Sequence, residues 1–324
     1  VLPAAQGLRS AETCRAPAAR VGAMQNPNID IGTYGIWTGA LDMQPAGLAR
    51  ESAAEIEELG FGALWIPETV FREVFLEAQM LLDATGHIKV ATGIANRYAR
   101  DPMTTNAAMQ TLNEAHPGRF LLGLGVSHGH LVAGVRKHDY DKPYSAMVEY
   151  LDAMESALYM APKGEPPAQM VLAALGPKML KLAAERTAGA HPYFVPPEHT
   201  AIAREAMGSE PLLAVEQMVV LDDDPVTARE TARAHMAIYL GLPNYANNLK
   251  RLGFTEEDIT EGGGSDRLVD AVVAWGGVEA ATERVQAHLD AGADHVCVQV
   301  LEPDMAALPV AGWRRLAEAL PFAG

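Results

Sequence analysis

From Ile29 onward the chain alternates short, nearly continuous apolar runs with longer stretches in which apolar positions recur every three or four residues. The runs are IDIGTYGIW (29–37), GALWIP (62–67), IKVATGIA (88–95), RFLLGLGV (119–126), QMVLAAL (169–175), GAHPYFV (189–195), LLAVEQMVVL (212–221) and DHVCVQVL (294–301). Strands that are apolar on both faces belong to a parallel sheet covered by helices. The periodic stretches between them predict helices over Pro45–Leu59, Val74–Ala84, Thr104–Ala115, Tyr144–Met160, Pro177–Arg186 and Pro197–Met207. Several open on Pro and several stop before Gly, as the N1 and C′ positions of helices do. Eight such units predict one (β/α)8 TIM barrel over 29–324, with a doubly wound sheet of two domains as the alternative.

The rhythm breaks over about 222–277. That region holds a helical pattern around Pro225–Leu240, the loop GLPNYANN (241–248), another helical stretch, the break EGGGSD (261–266) and a helix ending at Trp275. It is too ordered in pattern for a linker, and as an insertion between the seventh and eighth strands it is expected to cover the barrel mouth. Residues 1–28 are rich in Ala, Pro and Arg and lack the apolar core of a signal peptide, so they read as a disordered leader, with Met24 a candidate native start.

Composition narrows the chemistry. The sequence has no uninterrupted apolar run of eighteen residues, which argues against a membrane-spanning helix. A net charge of −16, from 41 acidic and 25 basic residues, disfavours general attraction to nucleic acid or to an anionic membrane. An anionic ligand therefore needs a local site. Cys14 and Cys297 are the only cysteines, and no Cys/His cluster has zinc spacing, so the expectation is a reducing cytoplasm and no metal.

In a (β/α)8 barrel the chemistry lies at the C-terminal ends of the strands. The polar residues there are Thr38, Glu68, Asn96, Arg97, Tyr98, Ser127, His128, His130, Lys178 and His199, while Tyr34, His191 and Tyr193 lie within strands and face either way. GLGVSHG (123–129) is not a G-x-G-x-x-G fingerprint. Gly125 at a strand end lets a flat ligand approach the backbone, whereas Gly123 equally serves to relieve crowding inside the barrel. His128 suits proton donation near neutral pH, and His130 reads as either a ligand-facing or a solvated loop residue. Gly-Pro before a helix, with Lys178 beside it, makes either an anion site or a plain strand-to-helix turn. Glu68 is a candidate functional carboxylate, and Tyr34, Trp37, Tyr98 and Tyr193 are candidates to line a mostly apolar substrate pocket.

The segments IDIGTYGIWTG (29–39), GALWIPE (62–68), ATGIANRYARDP (91–102), AHPGRFLLGLGVSHG (115–129), LAALGPKMLKLAAERTAGAHPY (172–193), PEHT (197–200), GLPNYANNLKRLGF (241–254), GGSDRLVDAVVAWG (263–276) and AGADHVCVQVL (291–301) resemble the luciferase-like oxidoreductases, and within them the actinobacterial branch that uses the deazaflavin coenzyme F420. The resemblance implies a homodimer with a small-molecule substrate, and a deazaflavin laid across the strand ends beneath the insertion. It implies a non-prolyl cis peptide at Gly93-Ile94, with Ile94 backing the ring and Asn96, Gly125 and Ser127 beside it. Glu68 and His128 match the positions that meet the ring carbon C5. In the sugar-phosphate dehydrogenase branch those positions hold a histidine base and a glutamate acid, so that branch's substrate is not carried over. Phosphate and tail contacts carry over to Gly176, Pro177, Lys178 and Met179, and to Thr200. The implied activity is hydride transfer between C5 and a small alcohol, carbonyl or activated alkene. An FMN-dependent monooxygenase and a non-catalytic cofactor carrier are the alternatives on the same barrel.

Overall fold

The computed structural model describes residues 30–260 and 262–322, so the leader assigned to 1–28 lies outside the described residues. Ten strands form one sheet: β1 (Tyr34–Trp37), β2 (Ala63–Ile66), β3 (Lys89–Thr92), β4 (Ala95–Asn96), β5 (Phe120–Gly125), β6 (Gln169–Leu172), β7 (Gly189–Ala190), β8 (Leu212–Val220), β9 (Val273–Trp275) and β10 (His295–Val300). Every pairing is parallel, running β1-β2-β3-β5-β6-β7-β8. β10 then joins β8 to β1, with Val296 opposite both Val215 and Tyr34. The sheet is thereby closed into a (β/α)8 barrel, and the two-domain alternative falls away.

β3 and β4 are one strand interrupted at Gly93-Ile94, whose peptide bond is cis. β4 resumes pairing with β5 at Ala95↔Leu124 and Asn96↔Gly125. β7 is only two residues long, and its Gly189 lies so close to β8 that a Cβ would fall 1.9 Å from the Leu212 carbonyl oxygen.

The helices follow the sequence pattern closely. Pro177–Arg186 and Pro197–Met207 begin and end where the periodicity places them. Asp101 caps Pro102–Ala115 by accepting the Thr104 N–H at 3.0 Å, and Asp224 caps Pro225–Leu240 through Thr227 N–H at 3.1 Å. The helix expected to end at Trp275 needs correction: Asp266–Val272 is helical, but Val273–Trp275 is β9, paired with Met218–Val220 of β8. Val272, Val273 and Ala274 are buried, and β-branched residues suit a half-open strand as well as a helix end. Helix Val278–Asp290, before β10, was not among those predicted.

Leu64, Val90, Leu122, Leu172, Val215 and Val298 pack outward under the helices. The barrel interior is filled instead by Trp65, Ala91, Leu121, Val171, Ala214 and Cys297. Trp65 Nε1 donates to His295 Nε2 at 3.0 Å, and the His191 ring stacks on Trp65 at 4.2 Å. This layer is the floor of the mouth. Among the described residues no helix is long and apolar enough to cross a bilayer.

Candidate active site

Above that floor lies a cavity of about 560 Å³ at the C-terminal mouth. Strand ends supply Ile94, Gly125, Ser127, His128, His191 and Tyr193, the start of helix Pro177–Arg186 supplies Gly176 and Met179, and the insertion supplies Asn244, Tyr245, Asn247 and Arg251. Of the residues proposed from sequence, Ile94, Gly125, Ser127, His128, Gly176, Met179 and Tyr193 therefore share one cavity.

His128 is half-buried, and its Nδ1 lies 3.0 Å from Asn244 Oδ1. An amide oxygen only accepts, so Nδ1 carries the proton and Nε2 keeps a lone pair. Burial lowers the His128 pKa, against the Asn244 bond, which favours the charged form. The ring is thus a neutral imidazole at pH 7. Ser127, immediately before it, has φ +55, and its carbonyl accepts the Tyr140 hydroxyl at 3.1 Å, which fixes the turn that presents His128.

His191 is a second acceptor. Its Nδ1 donates to Ala214 O at 2.9 Å, and its Nε2 is buried without a partner among the described residues. Burial lowers its pKa to about 4, so Nε2 remains a bare lone pair. It lies under the cis peptide: a Cβ on Gly93 would approach Nε2 to 3.2 Å and Trp37 Nε1 to 2.6 Å. Trp37 Nε1 donates to Gly93 O at 3.1 Å, tying β1 to the interruption in the third strand. Tyr193 and Tyr245 are buried phenols, and burial raises both pKa values well above 10, so both stay neutral.

The other end of the cavity suits an anion. Gly176 is the N-cap of helix Pro177–Arg186, and a Cβ there would lie 3.0 Å from Arg251 Nη1. Glycine is what lets this guanidinium approach the helix's first turn. Pro177 has no N–H and those of Met179 and Leu180 are taken by Gly176 O, so it is the helix dipole and Arg251 that act together on this volume.

Several sequence expectations need correction. Glu68 does not line this cavity; Arg100 grips it with Nη1 to Oε2 at 3.0 Å and Nη2 to Oε1 at 2.7 Å, and Oε2 also accepts the Asn96 N–H at 2.7 Å. Both oxygens are engaged, and Glu73 holds Arg100 from its other side. Glu68 thus ties the end of β2 to β4. Asn96 is part of the same latch, its Oδ1 accepting the Tyr98 N–H at 2.9 Å. Tyr98 packs under Arg97 and beside Tyr140 rather than in the cavity. Tyr34, at the opposite end of β1, meets Phe322 edge-on at 5.6 Å. Thr200 is fully buried and bonded to His288 Nδ1 at 2.7 Å, between two helices. Pro177 and Lys178 are exposed and outside the lining, and Trp37 lines a smaller neighbouring chamber. Gly123 is a packing residue: a Cβ would fall 1.9 Å from Thr92 O.

Sequence reasoning left His191 open and missed Asn244, Tyr245, Asn247 and Arg251 as site residues. The four in the insertion sit on helix Pro243–Arg251, whose side-chain amides and terminal arginine were a signal in so acidic a chain.

The profile of the luciferase-like monooxygenase family matches residues 31–295. A coenzyme F420-dependent oxidoreductase of Mycobacterium tuberculosis is 26% identical over 271 residues, covering 68% of this chain and 78% of that protein. The 5,10-methylenetetrahydromethanopterin reductase of Methanolobus tindarius is 27% identical over 252 residues, covering 68% and 76%. Among solved structures, an F420-dependent secondary alcohol dehydrogenase in complex with an F420-acetone adduct superposes with a TM-score of 0.72 at 16% identity, covering 90% of this chain and 98% of that one.

Proposed function

This chain belongs to the luciferase-like family, and within it we propose that it is a coenzyme F420-dependent oxidoreductase acting on a small alcohol, carbonyl or activated alkene. The observation that carries the reading is the cavity itself. It combines a bare buried acceptor (His191 Nε2), a neutral imidazole (His128) and an anion end (Gly176 and Arg251) in one 560 Å³ volume. These groups fit a deazaflavin: an acceptor for a ring N–H, a flat approach over Ile94 and Gly125, and a cation for a phosphate. When bound, the deazaflavin supplies a carbon that accepts or donates a hydride.

The protein's part is positioning and proton transfer. His128 Nε2, held by Asn244, takes the proton from a substrate hydroxyl during oxidation and returns it during carbonyl reduction. Tyr193 and Tyr245 exclude water beside it. Glu68 is a positioning residue that fixes β4 through Asn96. The family's name makes FMN the competing cofactor. Fluorescence titration with F420 and with FMN tests the choice: saturable F420 binding is expected, and FMN binding without F420 binding would overturn it.

A further inference from the structure

Both imidazoles of the cavity are acceptors where they face it. His128 keeps a lone pair on Nε2 because Nδ1 donates to Asn244 Oδ1, and His191 Nε2 is bare because Nδ1 donates to Ala214 O. A substrate hydroxyl satisfies such a nitrogen, but a carbonyl oxygen is itself an acceptor and needs a donor. A reaction that joins an alcohol to a carbonyl compound therefore asks the cavity for one donor beside His128.

Three tyrosines stand at this end of the cavity, and their hydroxyls differ. Tyr193 donates to Gln299 Oε1 at 2.8 Å and so accepts the Tyr239 hydroxyl at 2.7 Å, which spends both protons. The Tyr245 hydroxyl makes no hydrogen bond among the described residues, and it is not one of the polar atoms shut inside the core. Tyr245 lines the larger cavity and not the smaller chamber beyond Trp37, so the cavity is where its hydroxyl is open. The ring itself is fixed, with centroids 5.4 Å from His128, 5.6 Å from Phe194 and 5.5 Å from Tyr239. It follows Asn244 on helix Pro243–Arg251, so one turn of that helix sets both the His128 tautomer and the phenol. Asn244 and Asn247 are exposed, and their amide donors are spent on water. Burial holds the Tyr245 phenol neutral, a donor throughout the ordinary pH range.

We infer that Tyr245 is a catalytic residue whose hydroxyl donates a hydrogen bond to the same substrate oxygen that exchanges its proton with His128 Nε2. The inference rests on the oxidoreductase reading above. In oxidation the substrate O–H and C–H bonds break and the C=O bond forms; the proton goes to His128 Nε2, the hydride to the deazaflavin, and Tyr245 keeps its own proton. In reduction the carbonyl oxygen is held by Tyr245 until a protonated His128 delivers its proton. Negative charge that grows on the oxygen in either direction meets a donor already in place in a buried setting.

The probe is 2-pentanone labelled with carbon-13 at the carbonyl, bound to the full chain in the presence of oxidised F420, which cannot reduce it. A donated hydrogen bond moves the carbonyl resonance downfield. That shift is expected at pH 7, where His128 is neutral, and should be lost in Tyr245→Phe and kept in Tyr239→Phe. Tyr245→Phe should also lower kcat for reduction of the ketone by reduced F420 about 10²-fold, with KM changing far less. The native protein supplies a test that survives misfolding of the variant: a shift that appears only as pH falls towards 5 would assign the donor to the His128 imidazolium and overturn the inference. A carbonyl resonance that does not move on the native protein, or one that moves equally on Tyr245→Phe, would overturn it as well. A shift that depends on Tyr245 without consumption of reduced F420 would uphold the hydrogen bond and sink the oxidoreductase reading instead.

Discussion

Glu216 is the sharpest test of how the barrel interior is built. It sits on β8 with 1% of its surface exposed, its Oε2 accepting the Phe194 N–H at 3.0 Å and its Oε1 without a partner among the described residues. Burial raises its pKa from the ordinary 4.5 to about 8. The folded protein therefore holds this proton more tightly than the unfolded chain does. Stability from this group is complete below about pH 4.5 and is lost as pH rises through about 8. Between pH 4.5 and 7 the loss is about 3 kcal/mol, at roughly 1.4 kcal/mol per pH unit. Gln in its place keeps an acceptor for Phe194 and does not titrate. Glu216→Gln should therefore be nearly neutral at pH 5 and more stable than the native chain by about 3 kcal/mol at pH 7. The gain should level off above pH 8. Urea unfolding of both proteins from pH 5 to 9 measures this, and the other carboxylates of the chain cancel in the difference. A difference independent of pH, or one that shrinks as pH rises, would refute the argument.

Four further outcomes follow from the site. His128→Ala should lower kcat by about 10² to 10⁴ with F420 affinity little changed, read by steady-state rates and fluorescence titration. Arg251→Gln should weaken F420 binding by roughly 10- to 100-fold and flatten its dependence on salt, since a charged hydrogen bond contributes about 1.5–3 kcal/mol. Glu68→Gln should cost about 3 kcal/mol of stability by leaving Arg100 half-paired in a buried setting, and chemical denaturation checks it; loss of kcat at unchanged stability would restore Glu68 to the chemistry. Gly93→Ala would set a methyl 2.6 Å from Trp37 Nε1, and calorimetry should find about 1–3 kcal/mol of destabilisation.

The barrel was legible because each strand is apolar on both faces and each helix is amphipathic, so periodicity alone counts the units. The mouth was legible in part. Gly125, Ser127 and His128 follow directly after a strand, and the rule that chemistry sits at strand ends finds them. Glu68 satisfies the same rule and still points elsewhere, because its partner Arg100 lies 32 residues away and side-chain pairing has no local pattern. Thr200 failed for a related reason: its helix face is turned toward His288, a contact set by packing between helices. Trp275 was misplaced because Val273 to Trp275 are acceptable in a helix and in a strand, and only the free edge of β8 decides. Arg251 had only its charge as a local mark. Its importance arises where the insertion folds back over Gly176, a contact between residues 75 apart in the chain.

β9 gives the roof an unexpected modularity. The insertion leaves from the end of β8 and returns as β9 alongside that same strand, with Trp275 opposite Val220 and the Gly276 N–H on Asp222 O at 3.0 Å. Its departure and return points are neighbours, so the excursion is a cassette grafted at one place on the ring. Exchanging residues 222–276 between barrels of this kind would replace Asn244, Tyr245, Asn247 and Arg251 together and leave every other strand pairing intact. Strand-end residues such as His191 have no such freedom, because each is also a piece of the floor. In this protein the groups that grip a ligand can be traded as a block, while those that underlie it are bound to the barrel that made them.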